Sequence, residues 1–391
     1  MQKKKIGVFF GGQSVEHDVS ILTGLQVCQV MDVSKYEVVP FYVDNNGAIW
    51  TGAPLLSTKS YPIDSNTKIT RMNFVIGRTD GIALVSEAGI FKKKIQLDAA
   101  FLAFHGGAGE SGIYSAMFEA ANLPYAGASV LASSVYMSKY VTKLACRALG
   151  IKVLPETLVR RPEGSFDIDA ISKSLKIEFP VIVKPESLGS SVGVSRADNI
   201  SELAIGLAKV FKVDPVAMIE PFVENLVEYN VAVMSKNGKT ITSAIESPNG
   251  GGKLLTFANK YMDDGCKKKS DASLDAMPSD ALINSRREYH PNITTEQEEF
   301  IRDSAAKLFD AMGATGSPRI DFYSNSETGE LWMNEVNPIP GAFAFYLWRA
   351  TKPSISYQEL VSSQLDNAFS RKNEQSKSFN LSAAGSLIFR K

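Results

Sequence analysis

The chain has 391 residues, 44% hydrophobic and 21% charged, with 42 basic against 42 acidic side chains and a formal net charge of +0. That length suits two or three domains, and the charge balance excludes a strongly basic nucleic-acid binder and gives no reason to expect a membrane surface as partner. Cys28, Cys146 and Cys266 form no C-x-x-C pair and there are 3 histidines, which excludes a disulfide framework and a thiolate or histidine-rich metal cluster.

No stretch approaches the ~20 apolar residues of a membrane span. The apolar run after the N-terminal lysines is too short for a secretory leader. A reduced, cytoplasmic enzyme or binding protein is the expectation.

Residues 5–10, KIGVFF, read as an apolar strand ending in Gly11-Gly12, with a helix over about 20–31 behind it. YEVVPFYV is a second strand. LDAAFLAFHG is a third, apolar enough to be buried on both faces. SAMFEAANL is helical, and the alternation predicts an N-terminal parallel α/β domain over residues 1–127. A central domain over 128–224 holds one helix, SSVYMSKYVTKLACRALG, then strand, Gly-Ser loop and strand in FPVIVKPESLGSSVGV, a helix, and the strand AMIEPF. A C-terminal domain over 225–391 begins with strands VEYNVAVM and ITSAIES. A polar stretch at about 249–292 reads as a long functional loop. Helix TEQEEFIRDSAAKLFDAMG follows, with Thr295 and Glu298 at capping-box spacing. The chain continues through the hairpin RIDFYSNSETGELWMNEVNPIPG into the amphipathic helix SYQELVSSQLDNAF.

That hairpin carries the first chemical signal. Side chains alternate along a strand, so Glu335 and Asn337 share one face, and Arg319 and Asp321 share a face of the neighbouring strand. Paired, the strands crowd these four groups together. Either a hard cation such as Mg²⁺ takes the oxygens, or Arg319 forms a structural salt bridge with an acid.

GGAGESG contains G-x-G-x-x-G at Gly107, Gly109 and Gly112. The ribose-binding acid expected about 20 residues on is missing, which weighs against a dinucleotide oxidoreductase. In GGQSVEHDVS, Glu16 is either a counter-ion for an ammonium group or a helix-start acid. VIVKPESLGSSVGV puts Lys184 at the end of an apolar strand before a loop with Ser190 and Ser191, a design that cradles phosphate. No Walker loop is present.

Together these motifs resemble, in order and over nearly the whole length, those of the D-alanine–D-alanine ligase family of ATP-grasp enzymes. GGQSVEHDVS is similar to its first substrate loop, HGGAGESG to its H-G-x-x-G-E-D-G element, and MSKYVTKLACRALGIKVLP to its lysine-bearing helix. VIVKPESLGSSVGV resembles its phosphate loop, ANKY its lid, and RIDF…EVNPIPG its metal-binding end.

The resemblance implies an α/β, three-domain ATP-grasp architecture, with two α+β domains clamping ATP behind the N-terminal domain. It implies that Lys139, Lys184, Ser191 and Lys260 contact the nucleotide, and that Glu220 and Glu228 hold the adenine amine and ribose, at a spacing one residue longer than usual. Asp321, Glu335 and Asn337 would bind two Mg²⁺ ions, with Mn²⁺ as an alternative. Glu16, Ser190 and Tyr261 would close the site around the first amino acid, with His105 and Glu110 beside it. Arg319 and the Gly341 N–H would serve the reacting carboxyl. The implied partners are small amino-acid substrates and a second copy in a homodimer, with no nucleic acid or membrane. The implied reaction is ATP-dependent joining of two amino acids through an acyl phosphate, of the kind used in peptidoglycan biosynthesis. A related dipeptide, depsipeptide or amide ligase, and a non-catalytic ATP-binding homologue, are the alternatives.

The chain departs from the family pattern at the second substrate. Ser111 and Ser115 replace an acid and an amide, and PGAFAFYLW replaces P-G-M-T-x-x-S, which puts Tyr346 at a serine that meets the second amino acid's carboxylate. With Phe343 and Phe345 nearby, a reshaped and more apolar pocket is expected.

Overall fold

The computed structural model describes residues 3–75, 83–87, 93–165, 167–189, 192–248 and 287–383. Ser190, Ser191, Lys260, Tyr261 and the loop over 249–286 lie outside the described residues.

The N-terminal sheet contains β1 Lys4–Gly11, β2 Tyr36–Val43, β3 Ile49–Thr51, β4 Thr70–Val75, β5 Ala83–Ser86, β6 Lys94–Gln96, β7 Ala99–Leu102 and β8 Tyr125–Ala126, in the order β6-β5-β4-β3-β2-β1-β7-β8. It is parallel only from β2 through β1 and β7 to β8; β2 to β6 run antiparallel. The expectation of a parallel domain is thus corrected to a mixed sheet, because β3 to β6 each pair antiparallel with the strand before them. All of β7 is buried, as its unbroken apolar run requires. Helix α1, His17–Val30, links β1 to β2. Strand order reverses at β1, so the loops after β1 and β7 open a crevice at their carboxyl ends, the place where open α/β sheets hold ligands. Two short helices, α2 Gly107–Glu110 and α3 Ile113–Ala120, follow β7.

The helix expected over 133–150 is instead two: α4 Val130–Met137 and α5 Lys139–Ala148. Ser138 breaks it in an extended conformation and caps α5, its Oγ accepting from the Val141 N–H and donating to Glu186. Both helices contribute to the core beneath the C-terminal sheet through Ala132, Tyr136 and Cys146. The central sheet, β9 Thr157–Arg160, β10 Val181–Pro185, β11 Ser195–Ala197 and β12 Val216–Pro221, is antiparallel in the order β11-β10-β12-β9. After α6, Ile168–Ser174, and β11, helix α7, Ile200–Val210, covers the face bearing Val181, Val183, Ala217 and Ile219.

The C-terminal sheet runs β16-β15-β13-β17-β18, with β13 Leu226–Lys236, β15 Glu246–Ser247, β16 Glu288–Tyr289, β17 Arg319–Asn325 and β18 Leu331–Asn337; β14, Lys239–Thr242, pairs with β13. Helix α8, Thr295–Ala311, buries Ile301, Ala305 and Leu308 against Val231, Ile320, Phe322 and Val336. Its capping box is Thr294 with Gln297, one residue earlier than Thr295 with Glu298. After a tight turn come α9, Phe345–Ala350, and α10, Tyr357–Ala383.

Candidate active site

The hairpin geometry is the one that strand alternation predicts. Arg319 lies opposite Asn337 and Asp321 opposite Glu335, so all four share one sheet face. The Asp321 row continues across the sheet: Asn230 on β13, Glu246 on β15, Tyr289 on β16. A polar line therefore crosses the face opposite α8. Between Asp321 and Phe322 the register slips, and Asn334 becomes the extra residue of a bulge. Bulges re-aim side chains; Asn334 Oδ1 accepts a 3.3 Å hydrogen bond from Lys184 Nζ on the central sheet.

Lys184 and Glu220 share a face of that central sheet, because Glu220 opposes Ile182, two residues before Lys184. Lys184 Nζ approaches Glu220 to 2.6 Å, and Lys143 from α5 grips the other Glu220 oxygen while donating to the Leu154 carbonyl at 3.0 Å. All three side chains are buried. Burial alone would push the Glu220 carboxyl up; the Lys184 and Lys143 charges outweigh it and hold it below the usual range. Lys139, one turn before Lys143 on the same helix face, donates to the Leu188 carbonyl at 2.6 Å and lies 3.8 Å from Glu335. Burial lowers its pKa against the opposing pull of Glu335. Lys184 on the central sheet and Lys139 on α5 thus face an amide and an acid of β18 across a single cleft.

Arg319 grips Asp321 in a fork, Nε to Oδ1 and Nη2 to Oδ2, each at 2.7 Å. This is the structural ion pair that the hairpin alone left open, and it holds Arg319 charged: burial would lower its pKa, but Asp321 outweighs that and raises it. The fork does not exclude a cation, since each carboxylate oxygen keeps a second lone pair. Among the described residues no three His, Cys, Asp or Glu side chains converge. Asp321, Glu335 and Asn337 offer two carboxylates and an amide, which fits a hard cation that takes its remaining ligands from phosphate oxygens and water. Glu228 lies further along the same face, opposite Tyr323, whose hydroxyl is pushed well up by burial and then by the Glu228 and Glu335 charges.

In the crevice after β1 and β7, Gly106 has φ +67, and a Cβ there would meet Ser14 Oγ at 2.2 Å and Glu16 Oε2 at 3.1 Å. Only glycine lets the two loops approach so closely, which brings the Glu16 charge within reach of Glu110. Glu110 accepts from the Gly106 N–H at 3.0 Å. Burial, then the Glu16 charge, pushes its carboxyl up to about 8, and burial pushes His105 down to about 4. Their 3.9 Å approach is therefore a contact of neutral groups at pH 7, not an ion pair. His105 Nε2 pairs with Thr23 Oγ1 at 2.8 Å, and the Ala342 N–H donates to that oxygen at 3.3 Å, tying the crevice to the turn after β18.

Because Glu110 holds its proton more tightly when folded, its burial costs stability increasingly as pH rises from its unfolded value near 4.5 to about 8. Glu110→Gln is expected to flatten the fall in thermal midpoint over that window. A parent-like pH slope would place Glu110 among ionised groups.

Gly341 opens that turn, and a Cβ on it would meet nothing within 4 Å. Ala342, Phe343 and Ala344 follow with φ of 48°, 55° and 50°. Three consecutive non-glycine residues in the left-handed region are strained and persist only where surroundings over-determine them. The turn sends Phe343 into the core beside Phe101, ring centroids 5.2 Å apart, and Phe345 stacks on Tyr357 at 4.8 Å. The expected apolar pocket is thus not formed by these rings. The Tyr346 ring is instead covered by Arg287, whose Cζ lies 4.4 Å from its centroid. Ser115 turns away, donating to the Ala128 carbonyl.

Lys143, Asn230, Glu246, Arg287, Tyr289 and Asn334 went unread in the sequence. Two had signals: Lys143 stands at i+4 from Lys139, and Glu246 is the one acid in the stretch ITSAIES.

Two sheets closing buried lysines over an acid-bearing face, beside an N-terminal α/β sheet, make an ATP-grasp fold. The solved D-alanine–D-alanine ligase of Coxiella burnetii matches with a TM-score of 0.78 at 22% identity, covering 98% of this chain and 99% of that one. VanG D-Ala:D-Ser ligase of Enterococcus faecalis matches at 0.75 and 22%, covering 94% and 100%. Family models described as D-ala D-ala ligase N-terminus and C-terminus match residues 5–128 and 146–366. The D-alanine–D-alanine ligase of Chlorobaculum parvum is 30% identical over 369 residues, 93% of this chain and 96% of that protein; that of Thermosipho africanus is 30% identical over 378 residues, 96% of each. The chain belongs to the D-alanine–D-alanine ligase family and is an ATP-dependent ligase forming carbon–nitrogen bonds. Membership implies ATP, a divalent cation and small amino-acid substrates. Among the described residues no helix is long and apolar enough to cross a membrane.

Proposed function

We propose that the chain activates the carboxylate of D-alanine as an acyl phosphate and joins it to the amine of a second amino acid. The observation that carries this reading is the single face shared by Arg319, Asp321, Glu335 and Asn337, set against Lys139 and Lys184 across the cleft.

Glu16 takes the ammonium of the first amino acid, in the crevice it shares with His105 and neutral Glu110. Arg319 orients the carboxylate, which attacks the γ-phosphorus of ATP; the bond to the β–γ bridging oxygen breaks and ADP leaves. Lys139 and Lys184 neutralise phosphate charge, and Glu220 and Glu228 hold adenine and ribose. Asp321, Glu335 and Asn337 would hold two Mg²⁺ ions, which when bound supply charge neutralisation and bridging of the phosphates. The neutral second amine then attacks the acyl carbon, the oxyanion draws on Arg319 and the Gly341 N–H, and phosphate departs as the amine loses its proton. The cytoplasm, a homodimer and a place in peptidoglycan precursor synthesis belong to the same proposal.

The test is incubation with ATP, Mg²⁺ and panels of D- and L-amino acids, following ADP, phosphate and dipeptide. Glu16→Gln is expected to raise KM for the first amino acid about ten-fold or more while KM for ATP stays near the parent value, since the ammonium loses its charge partner. Equal effects on both would assign Glu16 to the helix start. ATP binding without turnover on any amino acid would favour a non-catalytic homologue.

A further inference from the structure

The sheet face has a nucleotide side and a far side. Lys184 and Lys139 meet β18 at Asn334 and Glu335, which fixes the nucleotide side at that edge. Arg319 and Asp321 stand next on β17. Beyond them, away from the lysines, the same row reaches Asn230, Glu246 and Tyr289. Arg287 precedes Tyr289 by two residues and so shares its face. Arg287 Nη1 binds both Glu246 oxygens, at 2.8 and 2.9 Å, the Asn230 amide donates to Glu246 at 3.1 Å, and the Arg287 guanidinium covers the Tyr346 ring.

Two polar atoms in this cluster are buried with no hydrogen-bond partner among the described residues: the Tyr289 hydroxyl and Asn230 Oδ1. A buried orphan donor calls for an explanation, and a ligand group is one. Burial, then the Glu246 charge, pushes the Tyr289 hydroxyl up to about 12, so it remains a donor at neutral pH, with Arg287 and Arg349 adding positive field around it.

We infer that this cluster receives the carboxylate of the second substrate: the Tyr289 hydroxyl donates to it, and Arg287, held by Glu246 and stacked on Tyr346, sets the depth of the pocket and with it the choice of acceptor. The inference rests on the ligase reading above. It makes the acceptor an amine that carries a carboxylate, approaching from the side opposite the nucleotide. It also supplies a donor where Tyr346 stands in place of a short serine.

The experiment separates the two half-reactions. Hydroxylamine with ATP, Mg²⁺ and D-alanine traps the acyl phosphate as a hydroxamate and needs no second amino acid. Transfer is then measured with D-alanine and D-phenylalanine as acceptors, each as free acid and as primary amide, in the parent, Tyr289→Phe and Arg287→Met. The parent should favour acid over amide by about ten-fold or more in kcat/KM, and Tyr289→Phe should bring that ratio to within about three-fold while hydroxamate formation stays within about two-fold. Arg287→Met should shift the ratio of D-phenylalanine to D-alanine transfer at least as far. Hydroxamate in all proteins with an unchanged acid-to-amide ratio in Tyr289→Phe overturns the inference alone. No hydroxamate from the parent overturns the ligase reading as well. If Arg287→Met fails to fold, Tyr289→Phe decides, since it removes one oxygen and keeps the ring.

Discussion

Glu335→Gln is expected to lower turnover by about 100-fold or more while changing stability by no more than about 0.5 kcal/mol. Glutamine keeps the shape and one acceptor oxygen but removes the charge. Glu335 is partly open to the cleft, and Lys139 lies 3.8 Å away, so little folding energy rests on that pair. Asp321→Asn provides the contrast. Asp321 holds a buried guanidinium through two 2.7 Å hydrogen bonds, and breaking such a pair costs about 3–5 kcal/mol. Turnover against Mg²⁺ concentration and a thermal melt of each variant separate the roles. If Glu335→Gln stays within a few-fold of the parent at low Mg²⁺, the cation assignment is wrong and the face is a structural ion-pair array.

What the sequence disclosed follows from which rules are local. The sharing of a face by Arg319, Asp321, Glu335 and Asn337 was legible because strand alternation has period 2 and the hairpin fixes its own register. The bulge that frees Asn334 was not, since it depends on counting two residues against one across strands. The break at Ser138 was hidden by an apolar pattern that continues through it; only the bonds to Val141 and Glu186 make the serine a cap. Strands β3, β5 and β6 have 3, 4 and 3 residues, too few to show a period. Phe343 and Phe345 misled because their direction is set by three left-handed residues with no glycine to announce them. The row from Asp321 to Tyr289 joins strands far apart in sequence, so Arg287 and Tyr289 gave no local hint of where they would stand.

Glu220→Ala is expected to destabilise the fold by about 3–5 kcal/mol and to abolish measurable ATP binding. The substitution leaves Lys143 and Lys184 buried together with no carboxylate between them. Lys143 retains the Leu154 carbonyl and a Glu156 oxygen at 3.9 Å, and Lys184 retains Asn334 at 3.3 Å, which are weak replacements for a shared anion. Loss of ATP binding could then follow from unfolding alone, so a second variant is needed. Replacing the whole group, Lys143→Met with Glu220→Leu and Lys184→Met, removes three buried charges and fills their volume with apolar atoms. Such replacements are often neutral or stabilising, so the triple variant should recover most of the stability lost in Glu220→Ala. It should not recover ATP binding, because the phosphates lose Lys184, with Lys139 alone kept in the cleft, and the base loses its acid. Calorimetric titration with ATP beside a denaturant melt gives both readings. Parent-like ATP affinity in the stable triple variant would show that the Lys143–Glu220–Lys184 group serves the fold and not the nucleotide.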